Sequence, residues 1–242
     1  MPVDRNSPVR RTKVPARWPF TSPSEILARV ELEAERRQVV DHCRRMRADG
    51  LVVGTSGNIS VRAGDLVAVS PSGLDYDDMT PDLVGVHRLD GTPVDAPLRP
   101  TTEMPMHLAV YGHTDARAIV HTHSTSATVL STLVDEVPPI HYLIAMFGGP
   151  VRVASYATYG TPELAASMIR ALDGRTACLL GNHGAVTYAS TLAAAYSQAV
   201  YLEWICEVYL RASAGGTPRL LPPEEIERVR RGLASYGPAD RA

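Results

Sequence analysis

Only Ala63-Gly64-Asp65 separates two strand-like segments, one ending at Arg62 and the next running from Leu66 to Ser70. A parallel crossover needs roughly a dozen residues or more, so a connection this short has to be a hairpin. The stretch Gly85 to Pro100 repeats the pattern around Asp90-Gly91. Elsewhere strands and helices alternate. Arg117 to His123 reads as a strand followed by a helix from Ser124 to Val134, and Asp135 to Pro139 reads as a loop. Val151 to Ser155 is a strand before a helix opened by Thr161-Pro162-Glu163 and stopped at Gly174. Thr176 to Leu180 is a strand that turns through Gly181 to Gly184. Hairpins and helical connections in one chain exclude an all-parallel sheet. They predict an α/β fold, three-layer α/β/α around a central mixed, largely antiparallel sheet.

Four further helices complete the prediction. The first begins at the capping box Ser22-Pro23-Ser24-Glu25 and runs to a stop at Gly50. Another starts near Glu103, with Thr101 or Thr102 as its cap. A long helix covers Thr191 to Ala214, and the last covers Pro222 to Ala234. Residues 1–20 mix Arg5, Arg10, Arg11, Lys13 and Arg17 with four prolines and read as a disordered N-terminal tail, leaving 21–242 as a single domain.

With 242 residues the chain is long enough for one substantial core. A net charge of -2 supplies no global attraction for nucleic acid, so any anion must be held by a local site. No apolar run reaches the roughly 20 residues that span a bilayer, and no secretory leader is visible. The 3 cysteines, Cys43, Cys178 and Cys206, lie far apart and form no CxxC pair, which suits a reducing, cytoplasmic setting. Expected partners are therefore a small molecule, with no nucleic acid and no membrane.

His121-Thr122-His123 is the first chemical signal. On a strand, residues i and i+2 share a face, so both imidazoles can reach one metal. His183, between Asn182 and Gly184 on a predicted turn, is the third candidate. Three histidines with an open fourth position are the pattern of a catalytic zinc site, and imidazoles also accept Mn2+ or Co2+. Alone, His-x-His is also what an ordinary core or surface pair looks like. His107, four residues after Glu103, is read as a structural or supporting residue rather than a ligand, and His141 is a weaker ligand candidate than the three. His42, His87 and His113 read as surface or helix residues.

Three segments share a second chemistry: Ser56-Gly57-Asn58, Ser70-Pro71-Ser72-Gly73 and Thr101-Thr102. Small hydroxyls, amides and uncluttered backbone N–H groups can wrap a phosphate without lysine or arginine. Singly, each is also what a turn or helix cap uses. Glu103 follows the third segment, where a carboxylate beside a metal and an anion cradle can serve as a general base.

Taken together, these residues resemble the class II aldolase/adducin family, and within it the L-fuculose-1-phosphate aldolase group. The matching stretches are Gly54 to Arg62, Ser70 to Tyr76, Thr101 to Glu103, Val120 to His123, Ile140 to Ala145 with Gly148-Gly149, Tyr156 to Thr161 and Asn182 to Gly184. The resemblance runs from about Glu25 to Gly237. It implies a zinc-dependent lyase that reversibly cleaves a ketose 1-phosphate (L-fuculose 1-phosphate or a related deoxyketose 1-phosphate) to dihydroxyacetone phosphate and a small aldehyde.

By position it makes His121, His123 and His183 the metal ligands, with Glu103 as catalytic acid/base that also touches the metal. Gly57, Asn58, Ser72, Gly73, Thr101 and Thr102 become the phosphate site. Tyr142 would act on the aldehyde half from a neighbouring subunit, and Tyr236 would close over the substrate. A homotetramer with sites between subunits is implied as well. Epimerases of this fold carry aspartate at the Glu103 position, and the dehydratases place a glutamate where Tyr142-Leu143-Ile144 stands, so both fit less well. A decarboxylase is disfavoured only weakly. Adducin-like binding modules lose the metal ligands that this chain keeps.

Overall fold

Helix α1, Glu33–Ala48, places Glu33 and Glu35 in its first turn and Arg45 and Arg47 in its last, so its charges complement the helix dipole. It buries Val39, Val40, Cys43 and Met46, and the chain leaves it through Gly50 at φ +70°. The computed structural model describes residues 32–233. The expected capping box at Ser22, the basic tail and Tyr236 lie outside them.

Among the described residues nine strands follow in one sheet, ordered β4-β3-β2-β1-β5-β9-β8-β7-β6. They are β1 Asn58–Ala63, β2 Leu66–Val69, β3 Gly85–Arg88, β4 Pro93–Asp95, β5 Ala118–Thr122, β6 Glu136–Val137, β7 Val151–Ala154, β8 Ala177–Leu180 and β9 Gly184–Ala189. Every neighbouring pair is antiparallel except β7 with β8. The sheet is therefore mixed and largely antiparallel, as the hairpin spacing predicts.

The helices are α2 Met104–His113, α3 Thr125–Leu130, α4 Pro162–Ala171, α5 Leu192–Ala214 and α6 Pro223–Leu233. Strand alternation sorts them into layers. Ile59, Val61, Ala118 and Val120 meet α1 and the first half of α5 on one face. Ile119, Cys178, Leu180 and Val186 meet α2 and α4 on the other. A third cluster joins α3, the second half of α5 and α6 over β7, β8 and β9.

Four expectations need correction. The segment 135–139 is not all loop, because Glu136 and Val137 pair with β7 as an edge strand. Helix α3 stops at Leu130, short of Val134. Neither Thr101 nor Thr102 is the N-cap of α2. Glu103 takes that place, and Thr101 Oγ1 accepts the Glu103 N–H at 3.2 Å. His87 is not a surface residue, since it sits on β3 and is buried. Burial holds the His87 ring below the ordinary histidine pKa, partly offset by its contact with the Gly91 carbonyl.

The edge hairpin is tied to α1 by a buried ion pair, Arg36 to Asp95 at 2.5 Å. Removing one member of such a pair strands the other charge. Asp95→Ala is expected to lower unfolding stability by about 3–5 kcal/mol, read from the urea midpoint. A change under about 1 kcal/mol would show that the pair holds nothing in place.

Candidate active site and metal centre

His121 is the fourth residue of β5, the strand flanked by β1 and β9. The register sets Asn58 of β1 directly across from His121, on the face covered by α2. His123 lies one residue beyond the strand, where its N–H donates to the Leu51 carbonyl at 3.0 Å. The i, i+2 reading still holds, because the two Nε2 atoms come within 2.9 Å.

The turn Gly181 to His183, between β8 and β9, delivers the third imidazole. Asn182 has φ 54°, the single positive φ of a non-glycine among the described residues. Left-handed backbone is unfavourable for most side chains, and asparagine tolerates it best. At Gly184 an added Cβ would lie 2.2 Å from the Thr122 carbonyl oxygen, so only glycine lets the turn sit against β5.

The three rings stand edge to face in every pairing, with centroids 4.7, 4.9 and 4.8 Å apart. Glu103, at the start of α2, completes the group. Its Oε2 is 3.0 Å from His121 Nε2 and its Oε1 is 3.2 Å from His183 Nε2. One donor atom from each of Glu103, His121, His123 and His183 lies within 4.8 Å of the others.

This donor set fits a divalent cation. His121 Nδ1 faces the Ala185 carbonyl at 2.9 Å, which spends its N–H there and turns the Nε2 lone pair inward. Glu103 Oε1 is buried and faces the His183 Nε2 atom at 3.2 Å. Lone pairs aimed at one another in a dry site need a proton or a metal between them.

Electrostatics point the same way. Burial works to raise the Glu103 carboxyl, but the His121 charge and hydrogen bonds from His121, His183 and Asn58 outweigh it and hold the group well below the carboxylate range. Burial would lower His121, yet the Glu103 charge and hydrogen bond raise it. Burial, together with the charges of His121 and His183, lowers His123 to about 3.

All six sequence-predicted phosphate residues line one cleft of about 430 Å³ together with Glu103, His123 and His183. That volume falls in the range of small-molecule sites, roughly 300–1,000 Å³. Backbone lacing joins two of the loops: Ser72 N–H donates to the Arg99 carbonyl and Thr101 N–H to the Ser70 carbonyl, each at 3.0 Å. The third loop is pinned by the Tyr76 hydroxyl, which donates to the Gly57 carbonyl at 2.7 Å. A Cβ on Gly57 would meet Val52 at 2.4 Å and the His121 carbonyl at 2.8 Å.

Several residues of the site carry no role in the sequence reading. Tyr156, Tyr159 and Asn182 line the cleft. Glu203, on α5, accepts the Ser126 and Ala127 N–H groups at 2.8 and 2.9 Å and so fixes the chain just after His123. Nothing local in the sequence marks Glu203, since the contact spans 77 residues. Tyr142 stands apart, on a 3-10 turn over Tyr142–Phe147, 49% exposed and outside the cleft lining. His141 caps that turn by accepting the Leu143 N–H, and its ring meets Trp204 at 4.8 Å.

The family profile described as Class II Aldolase and Adducin N-terminal domain matches residues 37–210. The chain belongs to the class II aldolase and adducin family. A 5-deoxy-D-ribulose 1-phosphate aldolase from Bacillus thuringiensis serovar kurstaki is 38% identical over 209 residues, 85% of this chain and 98% of that protein. An L-fuculose phosphate aldolase of Escherichia coli strain K12 is 36% identical over 204 residues, 83% of this chain and 94% of its own length. Among solved structures, an L-fuculose 1-phosphate aldolase superposes with a TM-score of 0.81 at 36% identity, covering 83% of this chain and 96% of the other. These aldolase-named relatives place the chain among the enzymes of the family, as a lyase. Among the described residues no helix is long and apolar enough to cross a membrane.

The raised His121 pKa has a direct consequence. A metal must displace the proton that Glu103 holds on His121, whereas His123, at about 3, has none to lose near neutrality. Zn2+ titrated calorimetrically in buffers of differing ionisation enthalpy is expected to release protons at about pH 6, below the ordinary histidine pKa of roughly 6.5. Release should fall, and apparent affinity level off, as pH rises past the His121 pKa. Proton release independent of pH would contradict the assignment. A second variant probes geometry: Gly184→Ala pushes the turn off β5 and is expected to weaken metal affinity at least about tenfold, measured by competition with a chelator.

Proposed function

We propose that this chain is a zinc-dependent aldolase that reversibly cleaves a deoxyketose 1-phosphate to dihydroxyacetone phosphate and a small aldehyde. L-fuculose 1-phosphate and 5-deoxyribulose 1-phosphate are the substrates its relatives' names point to. One observation carries the reading most: the Glu103 carboxylate faces the imidazole cluster and is held at 2.9 Å by Asn58, a residue of the predicted phosphate site. The proposed acid/base group, two of the three proposed ligands, His123 and His183, and the proposed anion cradle thus line one cleft.

His121, His123 and His183 would hold Zn2+, or Mn2+ or Co2+. When bound, the cation supplies a Lewis acid for negative charge that develops on the ketose oxygens. Gly57, Asn58, Ser72, Gly73, Thr101 and Thr102 would wrap the phosphate through N–H, amide and hydroxyl donors, fixing the reacting carbons relative to Glu103.

In the cleavage direction the bond between carbons 3 and 4 breaks. The electron pair passes to the three-carbon phosphate half, and the hydroxyl on carbon 4 becomes the aldehyde carbonyl by giving its proton to the Glu103 carboxylate. Glu103 returns a proton to carbon 3, completing dihydroxyacetone phosphate. Synthesis runs the same transfers backwards.

Tyr142 would serve the aldehyde oxygen of a neighbouring copy, which its exposure and its distance from this chain's own cleft support. That role requires a homo-oligomer, and a homotetramer with sites between subunits is the assembly we propose. Tyr236 would close over the substrate from the C-terminal segment. Three unpaired, buried cysteines support a cytoplasmic setting.

Glu103→Gln keeps the size and loses the charge. With zinc retained by metal analysis, it is expected to lower kcat about 10²–10⁴-fold, and full activity in that variant would remove Glu103 as the base. The purified chain should also join dihydroxyacetone phosphate to acetaldehyde or L-lactaldehyde in a metal-dependent way, followed by product identification. No product from any small aldehyde, with metal bound, would sink the aldolase reading.

A further inference from the structure

His107 is not among the residues that line the cleft. It lies in α2, fully buried, with Nε2 2.6 Å from Asn58 Oδ1 and Nδ1 2.7 Å from Ser60 Oγ. Ser60 Oγ is also 2.7 Å from the Tyr111 hydroxyl, and Asn58 Nδ2 donates to Glu103 Oε2 at 2.9 Å. An unbroken line of five side chains therefore runs from the core to the proposed base.

We infer that His107 is a positioning residue for the cleavage reaction: its imidazole fixes the amide of Asn58 so that the NH2 group, not the oxygen, faces Glu103. The inference rests on the proposed role of Glu103.

Donor counting decides the direction of the line. Burial brings the His107 ring down to about 3, so it is neutral at pH 7 and carries a single N–H. With that hydrogen on Nε2, every contact has one donor and one acceptor. Tyr111 donates to Ser60, Ser60 to His107 Nδ1, His107 Nε2–H to Asn58 Oδ1, and Asn58 Nδ2–H to Glu103. Reversing the line turns Asn58 Oδ1 toward Glu103 Oε2, placing two acceptors 2.9 Å apart against an ionised carboxylate. It also leaves the Tyr111 proton to find another acceptor in a buried place. A buried chain of this kind holds only when every link is satisfied.

Strand geometry explains why the line can form. Asn58 and Ser60 are i and i+2 on β1, both on the face that α2 covers, and His107 sits where its two ring nitrogens span them. One histidine thereby reads both residues at once. The amide it orients belongs to the phosphate cradle and to the base together, so the position of the substrate phosphate and the position of the carboxylate are set by one group.

The test is a double-variant cycle in the full-length, zinc-loaded chain, with kcat and KM for the ketose 1-phosphate, zinc content and thermal unfolding measured for each. His107→Leu removes both hydrogen bonds at similar volume and is expected to lower kcat about ten- to a hundredfold with zinc content unchanged. His107→Gln keeps a donor and an acceptor and is expected to recover activity to within several-fold of wild type. In the Asn58→Ala background, His107→Leu should cost little more, because a residue that acts through Asn58 has nothing left to position. Losses that multiply in the double variant would overturn the inference, as would a folded His107→Gln no better than His107→Leu. If His107→Leu does not fold, a folded His107→Gln decides the matter: activity within several-fold of wild type with the Asn58 amide held sustains the inference, and a loss beyond about tenfold or a freely turning amide overturns it.

An activity-independent readout separates this inference from the aldolase reading. In the metal-free chain the Asn58 side-chain NH2 resonance, assigned by its loss in Asn58→Ala, should show slowed hydrogen exchange. That protection should vanish in His107→Leu and persist in His107→Gln. Protection with no aldol product from wild type would sink the function and leave the positioning intact. Product formation with an unprotected, freely turning amide would do the reverse.

Discussion

Strand β5 is held between β1 and β9, and its register against both decides whether a site exists. The pairing sets Asn58 opposite His121 on one side and Thr122 beside Ala185 on the other. Because side chains alternate across a strand, a slip of one residue would turn His121 toward α1 and α5 and carry Ile119 with it. The hydrophobic pattern forbids that slip. Ala118 and Val120 belong to the cluster under α1 and α5, while Ile119 belongs to the cluster under α2 and α4. The packing of both faces thus specifies the position of the imidazole proposed to hold the metal.

Around that register the polar groups are placed at a cost that ordinary cores avoid. Three imidazoles and a carboxylate crowd into a partly buried pocket, with Asn182 in a left-handed conformation beside them. Crowded ligands, depressed and raised pKa values and backbone strain in one place are what a site built for binding shows rather than what stability alone would select. The surrounding structure compensates through satisfied contacts. Ala185 accepts from His121, Tyr76 holds Gly57, and Glu203 anchors the turn after His123. Each removes one freedom that the crowded centre would otherwise use to relax.

Much of this was legible from local pattern. Ala63-Gly64-Asp65 announced a hairpin because chain reach leaves no alternative, and the observed pairing of β1 with β2 follows. His121-Thr122-His123 read as a shared face through strand periodicity alone. Other features were hidden for equally physical reasons. The pairing of Glu136 and Val137 depends on β7 being available as a partner, which a two-residue segment cannot signal. His87 looks like a surface histidine because nothing local in the sequence marks the burial it meets on β3. Thr101 has the right chemistry for a cap, yet its hydroxyl binds the Glu103 N–H and leaves Glu103 at the helix start.

By itself, then, the sequence determined the element order apart from the edge strand β6, the hairpins, the hydroxyl-rich loops and which groups to weigh for metal and anion binding, since these follow from periodicity, chain reach and side-chain chemistry within a few residues. Tertiary structure alone decided that the loops share one cleft, that Glu103 faces His121 and His183, and that His107 reaches Asn58. Those contacts join residues distant along the chain, and their distances are set by how strands pair and helices pack, a property of the whole core that no short segment encodes.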